Sequence, residues 1–385
     1  MMEPAANTDP AVRLLADLVR IPSVNPMGRD CSGPEYTEAA IGAYVEALLR
    51  RHSIDVQVSE SAPGRPNVIG YVDVGARRTL LLEAHLDTVH AEGMTVEPFG
   101  ASIADGALYG RGACDTKASL AAFLHAVITT LQHPERLQHN VVIAAVADEE
   151  YRFTGAIHAL KSGLNADEGI AGEPTMLHIV RAHKGVVRWH VRTTGRAAHS
   201  AYPDRGENAI YRMGRILVRL EEYARELQAR TPHPLLGTPT LSVGMIEGGQ
   251  AVNIVPDHCR IEIDRRTLPG ERADDAIGAV RDLLAEYEGC EIGDPYLAAS
   301  GMDVPGDAPI VQTLARAIRP VAGEPVVEGA QYATDAGIYT GAGIPTVVFG
   351  PGSIADAHTA GEHVALQELH DAVTIIQNVL TTPAP

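Results

Sequence analysis

Near-continuous apolar segments constrain the fold of this chain more than any other feature. Three of them occupy residues 79–86 (TLLLEAHL), 140–147 (NVVIAAVA) and 345–350 (PTVVFG). Strands that are buried on both faces of a sheet have this composition, whereas strands with one solvated face alternate apolar and polar residues. Helical segments are interleaved with them, such as the amphipathic residues 35–51 and the mostly apolar residues 119–131. The sequence therefore predicts an α/β protein with a doubly wound sheet covered by helices on both faces.

The segment from residue 181 to residue 294 has a different character. Its strand candidates alternate apolar and polar residues, as in HCRIEIDRR, and a long amphipathic helix begins near Asn208. The predicted order is β-α-β-β-α-β, which is typical of a ferredoxin-like α+β unit. We therefore expect two domains, an α/β domain of residues 1–180 and 295–385 and an inserted α+β domain of residues 181–294.

Composition argues against several classes of function. The formal net charge of −18 argues against nucleic-acid binding, because phosphate contacts need clustered Lys and Arg. No uninterrupted apolar run approaches the roughly 18 residues of a membrane span. The opening MMEPAANTDP lacks the basic and apolar regions of a signal peptide, and the four cysteines have no CxxC spacing. We expect a cytoplasmic protein that binds neither nucleic acid nor membrane.

Potential metal ligands lie at places that the predicted sheet would bring together. There are five of them, namely His85, Asp115, Glu150, Glu173 and His358. Four follow a strand candidate, and Asp115 lies in the glycine-rich loop GRGACD. Ligands of open α/β sheets bind outside the carboxyl ends of the strands, so we expect these side chains to converge at one edge.

This set of side chains suits a pair of divalent ions. Two imidazoles and three carboxylates are ligands that zinc, cobalt or manganese accept, and with one carboxylate shared they can hold two ions about 3.5–4 Å apart. Glu149 lies beside a ligand and is free to act as a base. Asp87 points to the same side of an extended chain as His85 and can accept the other imidazole N–H. Each residue alone has an ordinary structural explanation, such as a helix cap or a solvated turn, but the set together favours a hydrolytic metal centre.

Six motifs occur together along the chain, namely HLDTV, YGRGACDTK, DEE, GEPT, GRAAHSAYP and AHTAGE. In these motifs the chain resembles, over nearly its whole length, the di-zinc aminoacylase and carboxypeptidase family of the acetylornithine deacetylase and succinyl-diaminopimelate desuccinylase type. LYGRGACDTK, the TDA of residues 334–336 and GPGSIADAHTAGE are most similar to the acetylornithine deacetylases of that family. The resemblance implies a di-metal hydrolase domain with an inserted lid and dimerisation domain. Ala118 and Ser119 depart from the two glycines of many members, which leaves the substrate open.

The resemblance also implies a role for each ligand candidate. Asp115 matches the carboxylate that bridges two zinc or cobalt ions, and its peptide bond to Thr116 is expected to be cis. His85 and Glu173 match the other ligands of one ion. The remaining matches are Glu150 and His358 for the second ion and Glu149 for the general base.

Three further matches lie in the inserted domain. His199 resembles a histidine that reaches the partner subunit's active site in family dimers and stabilises the oxyanion, which implies a homodimer through residues 181–294. Arg266 resembles the arginine that binds the substrate carboxylate, a task that suits its planar fork. Its neighbour Arg265 would face the other side of the strand and serve the structure. Asn253 resembles a substrate-contacting asparagine.

The leading hypothesis is therefore an enzyme. It would remove an N-acyl group, in the first place the acetyl group of N-acetylornithine in arginine biosynthesis, by attack of a metal-bound hydroxide with Glu149 as general base. Alternatives within the family are a dipeptidase or carboxypeptidase and a succinyl-diaminopimelate desuccinylase. An alternative of another class is a non-catalytic metal-binding relative, which should lack the base or a ligand, whereas this chain retains both.

Overall fold

The computed structural model describes residues 9–383, so the opening MMEPAANT, in which we expected no signal peptide, lies outside the described residues. The described chain forms two compact units. The first comprises residues 9–181, Val304–Glu328 and 334–383, and the second comprises Ala182–Asp303 and Gly329–Ala333. No helix within residues 9–383 is long and apolar enough to cross a membrane.

The elements up to residue 183 belong mainly to the first unit. They are α1 (Pro10–Val19), α2 (Ala39–Arg51), β1 (Asp55–Ala62), β2 (Arg65–Val72), β3 (Thr79–His85), β4 (Ser102–Ala104), β5 (Ala107–Tyr109), α3 (Lys117–Thr130), β6 (Asn140–Val146), α4 (Thr154–Lys161), β7 (Glu168–Ala171) and β8 (Ile179–His183), with short 3-10 helices at Pro34–Tyr36 and Pro134–Arg136.

The second unit and the rest of the first follow in chain order. Their elements are β9 (Gly185–Thr194), β10 (Ala198–His199), a 3-10 helix (Pro203–Arg205), α5 (Ala209–Gln228), β11 (Thr240–Gly248), β12 (Ile254–Val255), β13 (His258–Thr267), α6 (Ala273–Leu284), β14 (Cys290–Ile292), β15 (Leu297–Ala299), β16 (Met302–Asp303), α7 (Pro309–Ala322), β17 (Val327–Ala330), α8 (Asp335–Gly341), β18 (Thr346–Val348), β19 (His363–Ala365) and α9 (Leu366–Thr381).

A mixed sheet with a parallel centre forms the middle of the first unit. Its strands lie in the order β1-β2-β6-β3-β7-β18-β8. The four central strands, β6, β3, β7 and β18, are mutually parallel, whereas β2 and β8 pair antiparallel to the outer members of this group. All residues of β3 and β6 except the first are buried, which requires cover on both faces. The predicted doubly wound α/β sheet is thus confirmed, and its apolar strands are the buried ones.

The second unit is an α+β structure. Its main sheet has the order β11-β13-β9-β14, with neighbours antiparallel, and α5 and α6 pack against it. This is the strand order of a ferredoxin-like unit, as the sequence predicted. The alternation along β13 buries Cys259, Ile261 and Ile263. Asn208 caps α5 by accepting a hydrogen bond from the backbone N–H of Tyr211 at 3.0 Å.

The units differ from the predicted ranges at three places, the first being that Arg181 clusters with the first unit. Residues 295–303 cluster with the second unit, because Leu297–Ala299 pairs with β9 and Met302–Asp303 pairs with Ala182 and His183. Gly329–Ala333 also clusters there. Strands this short have no detectable period, and their partners lie more than 100 residues away in the sequence.

Candidate metal centre

The carboxyl ends of the parallel strands carry most of the candidate ligands. His85 is the last residue of β3, Glu149 and Glu150 lie in the turn after β6, and Glu173 follows β7 by two residues. Because β3 lies between β6 and β7 and runs parallel to both, these ends meet at one edge of the sheet. His358 is the tenth residue after the end of β18 and reaches the same edge.

Two clusters of potential ligand atoms form at this edge. In the first, His85 Nε2 lies 3.1 Å from Asp115 Oδ1 and 3.8 Å from Glu173 Oε1. In the second, His358 Nε2 lies 3.2 Å from Asp115 Oδ2 and 3.2 Å from Glu150 Oε1. Within each cluster the ligand atoms lie within 4.8 Å of one another. Asp115 belongs to both clusters and offers one oxygen to each, which is the arrangement of a bridging carboxylate.

A small sheet brings the Asp115 loop to His358. Strand β5 leads into the loop, and β19 begins five residues after His358. The two strands pair antiparallel, with Tyr109 opposite His363. The peptide bond between Asp115 and Thr116 is cis, as the resemblance implied.

Glu362 supports the Asp115 loop, and the sequence reasoning assigned it no role. This fully buried carboxylate accepts hydrogen bonds from the backbone N–H groups of Cys114 at 3.0 Å and Asp115 at 3.1 Å. Its other oxygen pairs with the buried guanidinium of Arg111. The glutamate ends the motif AHTAGE, so its place in that motif was the available signal.

Asp87 connects the first cluster to the turn after β6. Its carboxylate accepts the backbone N–H of Glu149 at 3.1 Å and that of Glu150 at 3.2 Å. His85 Nδ1 lies 2.9 Å from the main-chain oxygen of Asp87 and 3.5 Å from its carboxylate. We expected the carboxylate to accept this N–H, but the main-chain carbonyl makes the closer contact. A proton on Nδ1 leaves Nε2 of His85 free to bind a metal.

Glu149 lies among the ligands but belongs to neither cluster. Burial, and then the negative charge of Glu173, raise the pKa of Glu149 well above its usual value. Burial and the charge of Asp115 likewise raise the pKa of Glu150 and that of Glu173. A buried carboxylate beside the ligands, with a raised pKa, is suited to exchange protons near neutral pH.

The charges of the site fit divalent cations. Burial raises the pKa of Asp115, but hydrogen bonds from His358 and His85 hold it below its usual value. Burial lowers the pKa of His358, but its hydrogen bonds to Asp115 and Glu150 raise that pKa to about 11. Without metal, the imidazoles therefore carry protons, and their positive charge offsets part of the excess negative charge of the site. Cations bound to the same nitrogen and oxygen atoms would offset that charge instead, and the donor set suits two of them.

The remaining predicted site residues lie in the second unit. His199 is exposed on β10, where its Nδ1 accepts the backbone N–H of Ala201 at 3.1 Å. Asn253 is exposed in the turn before β12. The guanidinium of Arg266 donates to Asp264 from Nε at 2.7 Å and from Nη2 at 3.2 Å. Arg265 is fully buried and pairs with Glu271 at 2.5 Å, as expected for a residue that serves the structure.

The sequence matches a family of known hydrolases. The family model described as peptidase family M20/M25/M40 matches residues 81–382. The acetylornithine deacetylase of Myxococcus xanthus is 36% identical over 301 residues, which cover 76% of this chain and 77% of that protein. The acetylornithine deacetylase of Edwardsiella ictaluri is 36% identical over 383 residues, which cover 96% of each protein.

Solved structures share the fold. The M20 family metallo-carboxypeptidase from Sulfolobus solfataricus superposes with a TM-score of 0.81 at 20% identity, covering 97% of this chain and 99% of that one. The Bacillus subtilis protein YXEP, described as a dinuclear metal binding peptidase, has a TM-score of 0.69 at 17% identity and 96% coverage of each chain. At these identities the likeness establishes the architecture and leaves the substrate open.

Proposed function

This chain belongs to peptidase family M20/M25/M40, and from that membership we propose that it is a two-metal deacetylase of N-acyl amino acids, with N-acetylornithine as its first substrate. As a member of the family, it is a metal-dependent hydrolase acting on amide or peptide bonds. One observation carries the proposal. Asp115 offers one carboxylate oxygen to each of two imidazoles, with a free carboxylate, Glu149, beside the ligands.

The residues of the site would serve either as metal ligands or in proton transfer. His85, Asp115 and Glu173 would hold one ion, and Asp115 would share the second with Glu150 and His358. When bound, such a pair of ions lowers the pKa of water and polarises a carbonyl. Zinc or cobalt suits these nitrogen and oxygen donors.

Glu149 would act as general base and then as general acid. It would take a proton from the attacking water, hold it on its buried carboxyl group, and return it to the leaving amine when the C–N bond breaks. The raised pKa of Glu149 supports this role, because the carboxyl group can retain the proton between the two transfers.

The substrate assignment rests on the relatives. The two deacetylases named above match this chain at 36% identity over most of its length. The family also contains peptidases, so a dipeptide or another acyl-amino acid is the alternative substrate. Arg266 would bind the substrate carboxylate, since its side chain is only partly buried and its planar fork suits a carboxylate. Asn253 would contact the substrate.

A homodimer through residues 181–294 is part of the proposal. Exposed apolar side chains concentrate in this segment, on α5 (Ile210, Tyr211 and Val218) and on the edge strand β11 (Met245 and Ile246). An edge strand and an apolar helix surface are the features that a second copy of the chain would cover. In such a dimer the exposed His199 would serve the partner's site and stabilise the oxyanion.

The cellular setting follows from the proposed substrate. A deacetylase of N-acetylornithine serves arginine biosynthesis, and we propose a cytoplasmic enzyme. The four cysteines support this, because none of them forms a disulfide within residues 9–383. Reduced thiols are the rule in the cytosol.

A substrate panel tests the proposal. The purified protein, stripped of metal and then supplied with zinc or cobalt, should release acetate from N-acetylornithine with a higher kcat/KM than from other acetyl-amino acids, succinyl-diaminopimelate or dipeptides. Preference for a dipeptide would change the assignment to a peptidase. Binding of two ions without hydrolysis of any member of the panel would favour a non-catalytic relative.

A further inference from the structure

We propose that Asn25, in the loop between α1 and α2, is a positioning residue for the metal centre. Its side-chain amide joins Asp87 to Asp148 and thereby fixes the turn that carries Glu149 and Glu150. The inference rests on the proposed function, because it concerns the same site. None of the six motifs quoted from the sequence above includes this residue.

Every hydrogen of the Asn25 amide group is used. Nδ2 donates to Asp87 Oδ2 at 2.8 Å and to Asp148 Oδ1 at 2.9 Å, and Oδ1 accepts the backbone N–H of Met27 at 2.9 Å. The residue is only 1% exposed. These contacts fix the orientation of the amide, because turning it over would set its oxygen against two carboxylates.

Asp87 transmits the position of Asn25 to the reacting groups. Its two oxygens accept the N–H groups of Glu149 and Glu150, and its main-chain oxygen lies 2.9 Å from Nδ1 of His85. Asn25 supplies the third donor to this carboxylate. Without Asn25, the Asp87 carboxylate would keep its two main-chain donors. It would lose the side-chain amide that links it to the Asp148 carboxylate, at the start of the turn.

The loop of Asn25 is itself fixed to the segments that carry ligands. Thr88, three residues after His85, makes two backbone hydrogen bonds to this loop. Its carbonyl accepts the N–H of Asn25 at 2.8 Å, and its N–H donates to Ser23 O at 2.9 Å. Lys117, two residues after Asp115, donates from Nζ to Ile21 O at 2.8 Å. The loop therefore has little freedom to let Asn25 move away from the site.

Asparagine meets a requirement that few residues can satisfy at this position. Two acceptor carboxylates need two donors from one short and uncharged group, and the amide of asparagine provides both. Serine would supply one donor. Aspartate would place a third carboxylate against Asp87 and Asp148.

The test compares two asparagines that make the same number of side-chain hydrogen bonds. Asn140, at the opposite end of β6 from the site, makes three, with the N–H groups of Val74 and Ala76 and the carbonyl of Ala76, all at 3.0 Å. Asn25→Ala and Asn140→Ala should both lower the melting temperature of the metal-free protein. Only Asn25→Ala should weaken zinc binding, measured by competition with a chromogenic chelator, and lower kcat, each by roughly 10–100-fold, while KM is retained.

A reversed pair separates positioning from simple attachment of the loop. Asn25→Asp with Asp148→Asn restores a hydrogen bond between positions 25 and 148 but leaves Asp87 facing a carboxylate. We expect zinc affinity and kcat to stay low in this double variant. Recovery of both would overturn the proposal, because attachment of the loop would then suffice. Asn25→Ser, which keeps one donor and more of the fold, should give values between the wild type and Asn25→Ala.

The outcomes also separate this inference from the proposed function. If wild-type protein binds two zinc ions and hydrolyses N-acetylornithine, but Asn25→Ala matches Asn140→Ala in zinc affinity and kcat, the positioning role fails and the function stands. If wild-type protein binds two ions and hydrolyses no acyl-amino acid, the function fails, and the zinc affinities still decide the role of Asn25.

Discussion

Replacing Glu149 with glutamine should remove the proton carrier of the metal centre and leave its ligands in place. The Glu149 side chain is in neither ligand cluster, and the contact that fixes the residue is its backbone N–H to Asp87 at 3.1 Å. Glutamine retains that contact and nearly the same volume. We therefore expect Glu149→Gln to bind two ions with wild-type affinity.

The expected loss of activity follows from the role of a general base. Such a group contributes roughly 10²–10⁴-fold to the rate. At about 1.36 kcal/mol for each factor of ten, this equals about 2.7–5.4 kcal/mol in the activation free energy. The loss should fall on kcat, because the proton moves in the transition state and the bound substrate does not depend on it.

The same substitution should change the pH dependence of stability in the metal-free protein. Burial and Glu173 raise the pKa of Glu149 well above 4.5, so the folded state retains a proton that the unfolded state has released. The wild type should therefore lose stability as pH rises above 4.5, and Glu149→Gln should lose less. Urea denaturation at several pH values measures the difference.

Glu150→Gln is the matched control, since it makes the same chemical change one residue away. Glu150 belongs to the cluster with Asp115 and His358, so this variant should lose affinity for one of the two ions. Metal analysis and acetate release distinguish the two proteins. Loss of a metal ion from Glu149→Gln, or kcat within a factor of about three of the wild type, far below the loss expected for a base, would refute the assignment.

Three further predictions concern residues around the ligands and in the second unit. Glu362→Gln should reduce the free energy of unfolding by about 3–5 kcal/mol, because it leaves the buried Arg111 guanidinium without its charged partner. Urea denaturation of the metal-free protein measures this loss, and an unchanged free energy of unfolding would show that the pair does not stabilise the fold. Arg266→Ala should raise KM for N-acetylornithine more than it lowers kcat, since the carboxylate contact exists in both ground and transition states; an unchanged KM would place the anchor elsewhere. His199→Ala and Glu149→Gln should each be nearly inactive, yet mixed subunits that exchange should recover about a quarter of wild-type activity if C₂ dimers form and their sites act independently. Absence of recovery after proven exchange would show that His199 does not serve its partner.

The sequence predicted the central sheet because burial on both faces leaves a continuous apolar signal. Residues 79–86 and 140–147 became β3 and β6 of the sheet. Those strands are parallel, so the residues that follow them had to meet at one edge. The sequence alone therefore predicts that His85 and Glu150 lie near each other.

Supporting contacts could not be predicted in the same way. Asn25 meets Asp148 across 123 positions, and Glu362 meets the Asp115 N–H across 247. Hydrogen bonds between loops leave no periodic signal in the sequence. The partner of His85 Nδ1 was mispredicted for a similar reason. We expected the Asp87 carboxylate, but that carboxylate accepts hydrogen bonds from distant segments, and the Asp87 carbonyl makes the closer contact.

Metal titration of the stripped enzyme tests the central claim most directly. The claim is that Asp115 joins two ion sites, each completed by one histidine and one glutamate. Chelation should abolish acetate release from N-acetylornithine, and zinc or cobalt should restore it with two ions bound per chain by elemental analysis. Asp115→Ala should reduce binding at both sites together. Full activity with less than one ion per chain, or loss of only one ion from Asp115→Ala, would contradict the account.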